Sequence, residues 1–401
     1  MVTRATKAKK IEDGVFDLSD LGLGKEFVLA QDYTHADVKD WIPTGIPSMD
    51  SALTGGLPMG RVIELYSPNN VGKTTLAIQI NRMANKMGVP VFWFDVEGTN
   101  NRSHLEEMGV DMQHTVYYQP DDRDIEATSI ENIAEQMKYV MEKLQASNKS
   151  AVFIWDSVGA SMTKKTISGD FDDQQPGREA KAFTKALAKL TPLATATNSM
   201  VILINQVRDK IGGMGFGDQT DTPGGKALKH YATFRISLKN LGQNKLAGKP
   251  MGHKVKLILA KSKLGEPHVT SESLLYGQYG FNELVNILRE GVDAKLIKSA
   301  SGGNKGKYYR FVNPDGEPID IYEKQIPEML ESGELERDFM PYFQDLFAGL
   351  IEKEFPNGYP ATQNQHFHIA DIPFMENVGA TMAKPKLEVK EESDGEEEDS
   401  E

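Results

Sequence analysis

Three consecutive residues, Gly72, Lys73 and Thr74, have the types and the order that phosphate binding requires. They lie between the apolar stretch VIELYS and the amphipathic stretch TTLAIQINRMANK, which predict a buried strand followed by a helix. A helix start directs backbone N–H groups at an anion, a lysine reaches the β- and γ-phosphates, and a hydroxyl can hold Mg²⁺. The predicted nucleotide contacts in this segment are Ser67, Pro68, Asn69, Asn70, Val71, Gly72, Lys73, Thr74 and Thr75.

One position departs from the usual phosphate-binding loop, which opens with a glycine where this chain has Ser67. Serine is small and tolerates turn conformations, so we expect the loop to keep its ligand. The alternative is an ordinary strand, turn and helix without a ligand. The buried strand before the loop and the amphipathic helix after it favour the nucleotide site.

Polar residues end three further apolar stretches. Asp156 ends AVFIWD and is predicted to hold Mg²⁺ together with Thr74, partly through water, although a lone aspartate at a strand end commonly caps a turn. Glu97 follows VFWFDV and is the candidate to activate water against the γ-phosphate, with Asp95 as the competing residue. Gln206 ends ILINQ and could sense the γ-phosphate. Strands that end at one edge of a parallel sheet would bring these side chains together.

The elements that must position these residues are alternating strands and helices. Apolar stretches recur as RVIELYS, VPVFWFDVE, SAVFIWDS, SMVILINQV, TFRISLKN and HKVKLILAKSK, and amphipathic segments cover 74–86, 124–146 and 179–197. Near-continuous apolar strands that alternate with helices predict an α/β domain whose mostly parallel sheet is flanked by helices. The later strands lack helices between them, so we expect them to be antiparallel.

The chain divides into four predicted regions. Residues 1–43 form an N-terminal extension, predicted to serve in oligomerisation, and 44–290 form the α/β core. Residues 291–375 read as a short helix, an aromatic hairpin and further helices, which is a small α+β domain. Residues 376–401 read as a disordered linker and acidic tail.

Composition excludes several classes of chemistry. There is no cysteine among the 401 residues, which removes disulfides, thiolate metal sites and cysteine nucleophiles. Hydrophobic residues at 39% and charged residues at 26% are typical of a soluble globular protein. No apolar run approaches the ~18 residues that a membrane span needs, and no signal peptide follows MVTRATKAKK, so we expect a cytoplasmic protein without a membrane partner.

The formal net charge of −13 is concentrated at one end of the chain. The last eleven residues hold eight acidic side chains and no basic one, so the rest of the chain carries −5. So dense a block of like charge repels itself and is predicted to be disordered. It is either a solubility device or a polyanion that competes for a basic surface of the same molecule.

The order of the motifs along the chain resembles that of the RecA family of bacterial and phage DNA recombinases. The matching stretches, within about 44–290, are SPNNVGKTT, FWFDVEGTNN, AVFIWDSVGA, VILINQVRDKIG, TPGGKALKHYATFRISL and VKLILAKSKLG. The resemblance implies a P-loop ATPase that uses ATP and Mg²⁺, polymerises as a helical filament on single-stranded DNA, and exchanges strands with homologous double-stranded DNA. Its activity would serve DNA recombination, the response to DNA damage, and repair.

The resemblance also implies roles for individual residues. Glu97 becomes the catalytic base and Gln206 the γ-phosphate sensor, beside Lys73 in the catalytic set. His104 falls where the family stacks an aromatic residue on adenine; otherwise it is an exposed helix residue. Lys261 and Lys263 match a lysine pair that reaches the ATP of the neighbouring subunit; otherwise they are a basic strand end.

Two segments, 163–178 and 208–226, correspond to DNA-binding loops. Glycines of the second loop make it too flexible for a fixed shape without a ligand, and its amides and cations could hold phosphates without reading bases. Acidic residues at 172, 173 and 209 depart from the family pattern, and a mobile surface loop without a partner is the alternative. The predicted DNA contacts are Arg178, Lys185, Arg208, Lys210, Gly224, Gly225 and Lys226.

Two other functions remain open from the sequence. A RecA-fold ring ATPase, such as a helicase or a recombination accessory factor, would usually rely on an arginine finger. A nucleotide-gated DNA-binding scaffold that does not hydrolyse ATP has Ser67 as its only support.

Overall fold

The computed structural model describes residues 27–28, 33–34, 37–53, 55–121, 123–169, 177–209, 220–246, 249–275, 280–282, 284–303, 306–312, 316–332, 334 and 338–354. The chain divides into two units between Asp37 and Val38. In the first unit, the N–H of Asp37 donates to the carbonyl of Thr34 at 3.1 Å. The second unit contains every element named below. The predicted linker and acidic tail, 376–401, lie outside the described residues.

Sixteen strands and ten helices are formed by the described residues. The strands are β1 (Trp41–Ile42), β2 (Leu57–Pro58), β3 (Val62–Ser67), β4 (Val91–Asp95), β5 (Thr115–Tyr117), β6 (Val152–Asp156), β7 (Met200–Gln206), β8 (Arg208–Asp209), β9 (Thr220–Asp221), β10 (Phe234–Leu246), β11 (Lys249–Ser262), β12 (Thr270–Leu275), β13 (Phe281–Asn282), β14 (Lys298–Ser301), β15 (Lys307–Val312) and β16 (Pro318–Tyr322). The helices are α1 (Pro47–Ala52), α2 (Lys73–Lys86), α3 (Arg102–Glu107), α4 (Ile130–Ala146), α5 (Lys164–Ser168), α6 (Arg178–Ala196), α7 (Gly225–Tyr231), α8 (Leu284–Asp293), α9 (Ile326–Glu331) and α10 (Met340–Glu354). None of these helices has the length and apolar character that a membrane crossing requires.

One sheet of nine strands organises the second unit, in the order β13-β12-β11-β10-β3-β7-β6-β4-β5. The six strands from β10 to β5 pair in parallel, and β11, β12 and β13 extend the sheet in antiparallel pairs. Parallel neighbours need crossover connections, and helices such as α2, α4 and α6 supply them. The prediction of a mostly parallel, helix-flanked sheet with later antiparallel strands is confirmed.

The central strands are buried on both faces. In β6, Val152 and Ile154 belong to a buried cluster shared with α2, whereas Phe153 and Trp155 belong to a second cluster shared with α4 and α6. Successive side chains of a strand point to opposite faces of the sheet, which is why such a strand reads as a continuous apolar run. This packing fixes the carboxyl ends of β3, β4, β6 and β7 at one edge of the sheet.

The C-terminal region contains one more strand than the sequence predicts. Instead of an aromatic hairpin, β14, β15 and β16 form a three-stranded antiparallel sheet, because 298–301 also pairs with β15. Phe311 of this sheet packs on Phe343 of α10, with ring centroids 5.7 Å apart. Both rings belong to the buried cluster that contains α2.

Several element boundaries differ from the predicted ones, most of all at the start of α4 and in β10 and β11. The helix predicted from residue 124 begins at Ile130, because the Ser129 side chain accepts from the N–H of Asn132 at 3.3 Å and caps the helix there. The preceding residues form turns, including a bond from the N–H of Ala127 to the carbonyl of Asp124 at 3.0 Å. Strands β10 and β11 also extend beyond their apolar runs as a long hairpin.

Candidate nucleotide and DNA site

The phosphate loop connects β3 to α2, and its shape needs residues that tolerate a positive φ. Asn70 has a φ of 59° and Gly72 a φ of 101°. The backbone angle favours glycine at this position, and a Cβ on Gly72 would also lie 2.6 Å from Leu275 Cδ2 of β12 and displace that side chain. Helix α2 begins at the next residue, Lys73. The loop therefore runs directly into a helix start, as the sequence pattern indicates.

The ammonium of Lys73 lies inside this loop. Its Nζ donates to the carbonyl of Pro68 at 2.9 Å, and to the carbonyl and Oγ of Ser67 at 3.3 and 3.2 Å. The Ser67 hydroxyl donates in turn to the carbonyl of Pro68 at 2.7 Å. Burial lowers the pKa of Lys73, and the negative charges of Asp156 and Glu97 oppose that shift. Ser67 thus fits the loop and adds an acceptor for the lysine that a glycine would lack.

Thr74 and Asp156 place two oxygens side by side at the start of α2. Thr74 Oγ1 donates to Asp156 Oδ2 at 2.9 Å. Burial raises the pKa of Asp156 to about 7, and Glu97 and Asp95 add to the rise. The Thr74 bond and the charge of Lys73 act in the opposite direction. Mg²⁺ prefers oxygen ligands and commonly combines one or two carboxylates with substrate phosphates, so this pair fits that ion.

Glu97, Gln206 and Ser157 meet at the same edge of the sheet. Glu97 Oε1 accepts hydrogen bonds from Gln206 Nε2 at 3.1 Å and from the Ser157 hydroxyl. The three residues end or follow β4, β7 and β6, and the Asp156–Ser157 peptide bond is cis. Glu97 is exposed. An exposed carboxylate that two donors hold in place can accept a proton from water.

Asp95, the competitor of Glu97 for the role of base, has different partners. Its Oδ1 accepts from the N–H of Gly98 at 2.9 Å, and its Oδ2 accepts from the N–H of Asn100 at 3.0 Å. Both oxygens therefore hold the backbone of the turn that follows β4. These contacts assign Asp95 to the shape of the turn and favour Glu97 as the group that contacts water.

His104 lies on the short helix α3 and is half-buried. Its carbonyl accepts from the N–H of Met108 at 2.9 Å, as a helix requires. Over the described stretches of the chain, the ring of His104 makes no hydrogen bond to the phosphate loop. The structure therefore does not join His104 to the group formed around Lys73 and Glu97.

Lys261 and Lys263 contact the end of α7 within their own chain. Lys261 Nζ donates to three backbone carbonyls there, at 2.5, 2.9 and 3.0 Å, and Lys263 Nζ donates to the carbonyl of Tyr231 at 3.4 Å. Cations at a helix C-terminus satisfy its free carbonyls and complement the helix dipole. Burial lowers the pKa of both lysines. Helix α7 begins at Gly225, so the two lysines are linked through it to the second loop.

The ends of the two predicted DNA loops meet at a groove of about 500 Å³. Residues 158–162 after β6, the start of α6, and Thr222, Pro223 and Gly224 line it. Gly225 has a φ of 70°, and a Cβ on it would lie 2.9 Å from Ala180 Cβ of α6. The start of α7 and the start of α6 are thereby in close contact.

The second loop is closed at its base by a short antiparallel pair. Arg208 pairs with Asp221 and Asp209 with Thr220, in strands β8 and β9. Lys210 lies outside the described residues, together with 211–219. Lys226 is exposed on α7. Both ends of the loop are therefore held, and the first of them begins two residues after Gln206.

Arg178 and Lys185 line a different groove, of about 630 Å³, between α4 and α6. Lys181 and Lys189 of α6 lie there too, opposite Glu131 and Glu135 of α4. Lys189 Nζ contacts Glu135 Oε1 at 2.7 Å. The predicted DNA contacts therefore divide between two surfaces, one at the loop ends and one along α6.

Sequence reasoning missed four residues that support the site, Ser157, Asn205, Glu64 and Arg235. Ser157 holds Glu97, and Asn205 Nδ2 donates to Glu64 Oε1 at 2.9 Å. Glu64 also pairs with Arg235 of β10. A charged residue inside the apolar run VIELYS and an asparagine inside VILINQ were available as signals, since an unpaired polar group in a buried strand is costly.

The nine-stranded sheet, together with the loop that carries Lys73 into α2, defines an α/β protein of the P-loop class. The model of the RecA N-terminal domain matches residues 10–281. Protein RecA of Thermus aquaticus is 35% identical over 294 residues, which cover 73% of this chain and 83% of that protein. Protein RecA of Deinococcus radiodurans is 34% identical over 295 residues, with 72% and 76% covered. The chain belongs to the RecA family.

Family membership carries a coarse function with it. RecA-family proteins act in recombination and repair and bind ATP and DNA, and this chain is assigned to that group. Protein RecA of Delftia acidovorans gives the same assignment at 35% identity over 280 residues, with 69% of this chain and 71% of that protein covered.

Proposed function

We propose that the protein is a DNA-dependent ATPase that forms helical filaments on single-stranded DNA and catalyses homologous pairing and strand exchange with double-stranded DNA. The observation that carries the proposal is the position of Gln206. Its side chain donates to Glu97 at 3.1 Å, and the second loop begins two residues later at Arg208. One residue therefore contacts the candidate base and adjoins the segment predicted to bind DNA.

The proposed reaction at the nucleotide is hydrolysis of ATP. Lys73 and the start of α2 would hold the β- and γ-phosphates, and Thr74 and Asp156 would hold Mg²⁺, which neutralises phosphate charge. Glu97 would accept a proton from the attacking water while Ser157 keeps its carboxylate in place.

The proposed DNA contacts are of the phosphate-binding type. Residues from both loop ends line one groove, where Gly224 presents backbone without a side chain, and Gly225 follows it at the start of α7. Contacts to phosphates fix position without reading sequence, which suits a protein that must accept any strand. Arg178 and Lys185 would extend this electrostatic surface along α6. The helical assembly, with Lys261 and Lys263 of one protomer reaching the nucleotide of the next, is part of the proposal.

Phosphate release with and without single-stranded DNA tests the proposal. We expect the wild-type protein to hydrolyse ATP mainly when single-stranded DNA is present, and Lys73→Ala to lose that activity. Lys149→Ala serves as the control, because Lys149 is an exposed lysine in the turn after α4.

Electron microscopy and a strand-exchange assay on the same preparations complete the test. Helical filaments on DNA and exchanged strands are expected. Closed rings would support the ring ATPase instead, and bound ATP that is never hydrolysed would support the scaffold. Wild-type turnover in Lys73→Ala would overturn the assignment of the site.

A further inference from the structure

A buried ionic network joins the strand that enters the phosphate loop to the end of the second loop. Glu64 lies in β3, three residues before Ser67, and its side chain is fully buried. Its carboxylate accepts from Arg235 Nε of β10 and from Asn205 Nδ2 of β7, the latter at 2.9 Å. The two partners do different things, because Arg235 balances the buried charge of Glu64 and the neutral amide of Asn205 fills one of its remaining acceptor positions.

Asn205 is the member of this network that touches both functional segments. Its Nδ2 also donates to the carbonyl of Pro223 at 2.8 Å, so Glu64 and Pro223 use its two amide hydrogens. Its Oδ1 accepts from the N–H of Gln206 at 3.0 Å. The Asn205 side chain is therefore held between the phosphate-loop strand, the γ-phosphate sensor and the last residues of the second loop.

Arg235 supplies a second, parallel connection. Its Nη2 donates to Thr222 Oγ1 at 3.3 Å, and its guanidinium lies 4.6 Å from the centre of the Tyr66 ring. Thr222 and Pro223 line the groove between the loops. Arg235 bonds the first and Asn205 the second, and both of these side chains also bond Glu64. Any movement of these two residues changes the geometry around one buried carboxylate.

We propose that Asn205 is a positioning residue that couples occupancy of the second loop by single-stranded DNA to the nucleotide site. DNA at the loop end would shift Pro223, and the Asn205 amide would transmit that shift to the Gln206 backbone and to the strand that holds the phosphate loop. The proposal rests on the proposed function and names how its two sites communicate. Such coupling is reciprocal, so DNA must tighten nucleotide binding by the same factor by which nucleotide tightens DNA binding.

Four dissociation constants measure this coupling directly. A non-hydrolysable ATP analogue is titrated with and without single-stranded oligonucleotide, and a labelled oligonucleotide is titrated with and without the analogue. In Asn205→Ala, we expect the affinity for nucleotide alone to stay within about twofold while the coupling factor falls by about fivefold or more. A variant that is merely less stable would weaken nucleotide binding equally with and without DNA. The ratio of those two affinities, which is the coupling factor, would then stay unchanged.

Thr222→Val is the second variant, because it removes the acceptor of Arg235 and leaves β7 untouched. It is expected to reduce the coupling factor in the same direction. Thr197→Val is the matched control, since Thr197 is equally buried, at 6% exposure for both, but lies at the end of α6.

Each outcome decides one of the two proposals. Wild-type coupling in both Asn205→Ala and Thr222→Val would overturn this inference and leave the proposed function intact. A wild-type protein that binds nucleotide but shows no coupling to single-stranded DNA would overturn the proposed function itself. If Asn205→Ala does not fold, as judged by its melting curve, Thr222→Val alone decides.

Discussion

Two carboxylates that follow the same strand, Asp95 and Glu97, have separate partners and therefore separate expected effects. Asp95 accepts two backbone N–H groups, whereas Glu97 accepts from two side chains and is exposed. The first arrangement stabilises a turn. The second leaves a basic oxygen in contact with solvent beside the predicted γ-phosphate position.

Glu97→Gln should separate binding from hydrolysis. Glutamine keeps the shape but cannot accept the proton, so turnover should fall by ~10²-fold or more while ATP binding is retained. Filaments on single-stranded DNA should then persist longer, because hydrolysis is expected to drive release. Steady-state phosphate release and nucleotide titration check the two effects.

Asp95→Asn is the comparison for this experiment. Because an amide oxygen still accepts one of the two backbone bonds and water can pair with the other N–H in this exposed turn, the main expected effect is a slightly lower melting temperature, with a loss of ~0.5–1.5 kcal/mol. Normal turnover in Glu97→Gln combined with a loss in Asp95→Asn would transfer the role of base to Asp95.

Ser67→Gly tests the one departure from the usual phosphate loop. The substitution removes the Oγ contact to Lys73, but the carbonyls of Ser67 and Pro68 remain as acceptors for the ammonium. We therefore expect phosphate release within about threefold of wild type, because two of the three acceptors of the Lys73 ammonium are retained. A loss comparable to that of Lys73→Ala would make the serine essential.

At the scale of elements, the contact between α6 and α7 depends on a glycine. Gly225→Ala places a Cβ 2.9 Å from Ala180 at a φ of 70°. The positive φ alone costs ~1–2 kcal/mol for a residue with a Cβ, and the close contact adds to it. We expect a lower melting temperature and, because the loop end shifts, weaker binding of single-stranded DNA.

Gly88→Ala is the matched control for that substitution. Gly88 has a φ of 72°, and a Cβ there would meet nothing within 4 Å. In the Gly88→Ala variant the melting temperature should fall only because of the unfavourable positive φ. Its affinity for DNA should stay at the wild-type value. If both substitutions changed DNA binding equally, the α6–α7 contact would have no specific role in binding DNA.

The alternation of strands and helices could be predicted because the central strands are apolar on both faces and their helices are strongly amphipathic. Strand β5 could not be predicted, because only three residues at the sheet edge form it, one of them, Val116, exposed. The start of α4 was missed because a serine cap outweighed the amphipathic pattern before it. Local pattern therefore predicts cores well and boundaries poorly.

The candidate site likewise has features that could be predicted from the sequence and features that could not. Glu97 and Gln206 could be expected near each other because parallel strands end at one edge. The sequence names Glu97 as the candidate base and Asp95 as its competitor, but it could not show that the backbone N–H groups of Gly98 and Asn100 donate to Asp95. The pairing of Glu64 with Arg235 joins residues that are 171 positions apart, and only the order of strands in the sheet brings them together.

For the whole molecule, the distribution of charge leads to a prediction about the acidic tail, Glu391 to Glu401. Eight carboxylates tethered to the protein would compete with DNA phosphates for its basic surface, at an effective concentration of order mM if the linker can reach. Truncation after Lys390 should tighten DNA binding at low salt and ease the entry of duplex DNA. The gain should shrink at high salt, because screening weakens both interactions.

Titration of labelled DNA against the full-length and truncated proteins at two salt concentrations measures this effect. ATP turnover on saturating single-stranded DNA should barely change, which serves as the internal control. Equal affinities at low salt would leave the tail as a solubility device.

The bonds that Lys261 makes to the end of α7 affect the order in which filament assembly and movement of α7 can occur. An ammonium has three N–H groups, and three backbone carbonyls of its own chain already lie within 3.0 Å of this one. If the lysine serves the nucleotide of a neighbour, it must first exchange those carbonyls for phosphate oxygens, and the end of α7 loses these three bonds in the same step. Addition of a protomer to the filament would then free α7, the helix that follows the second loop. Filament growth would thereby prepare the second loop of each added protomer to bind DNA.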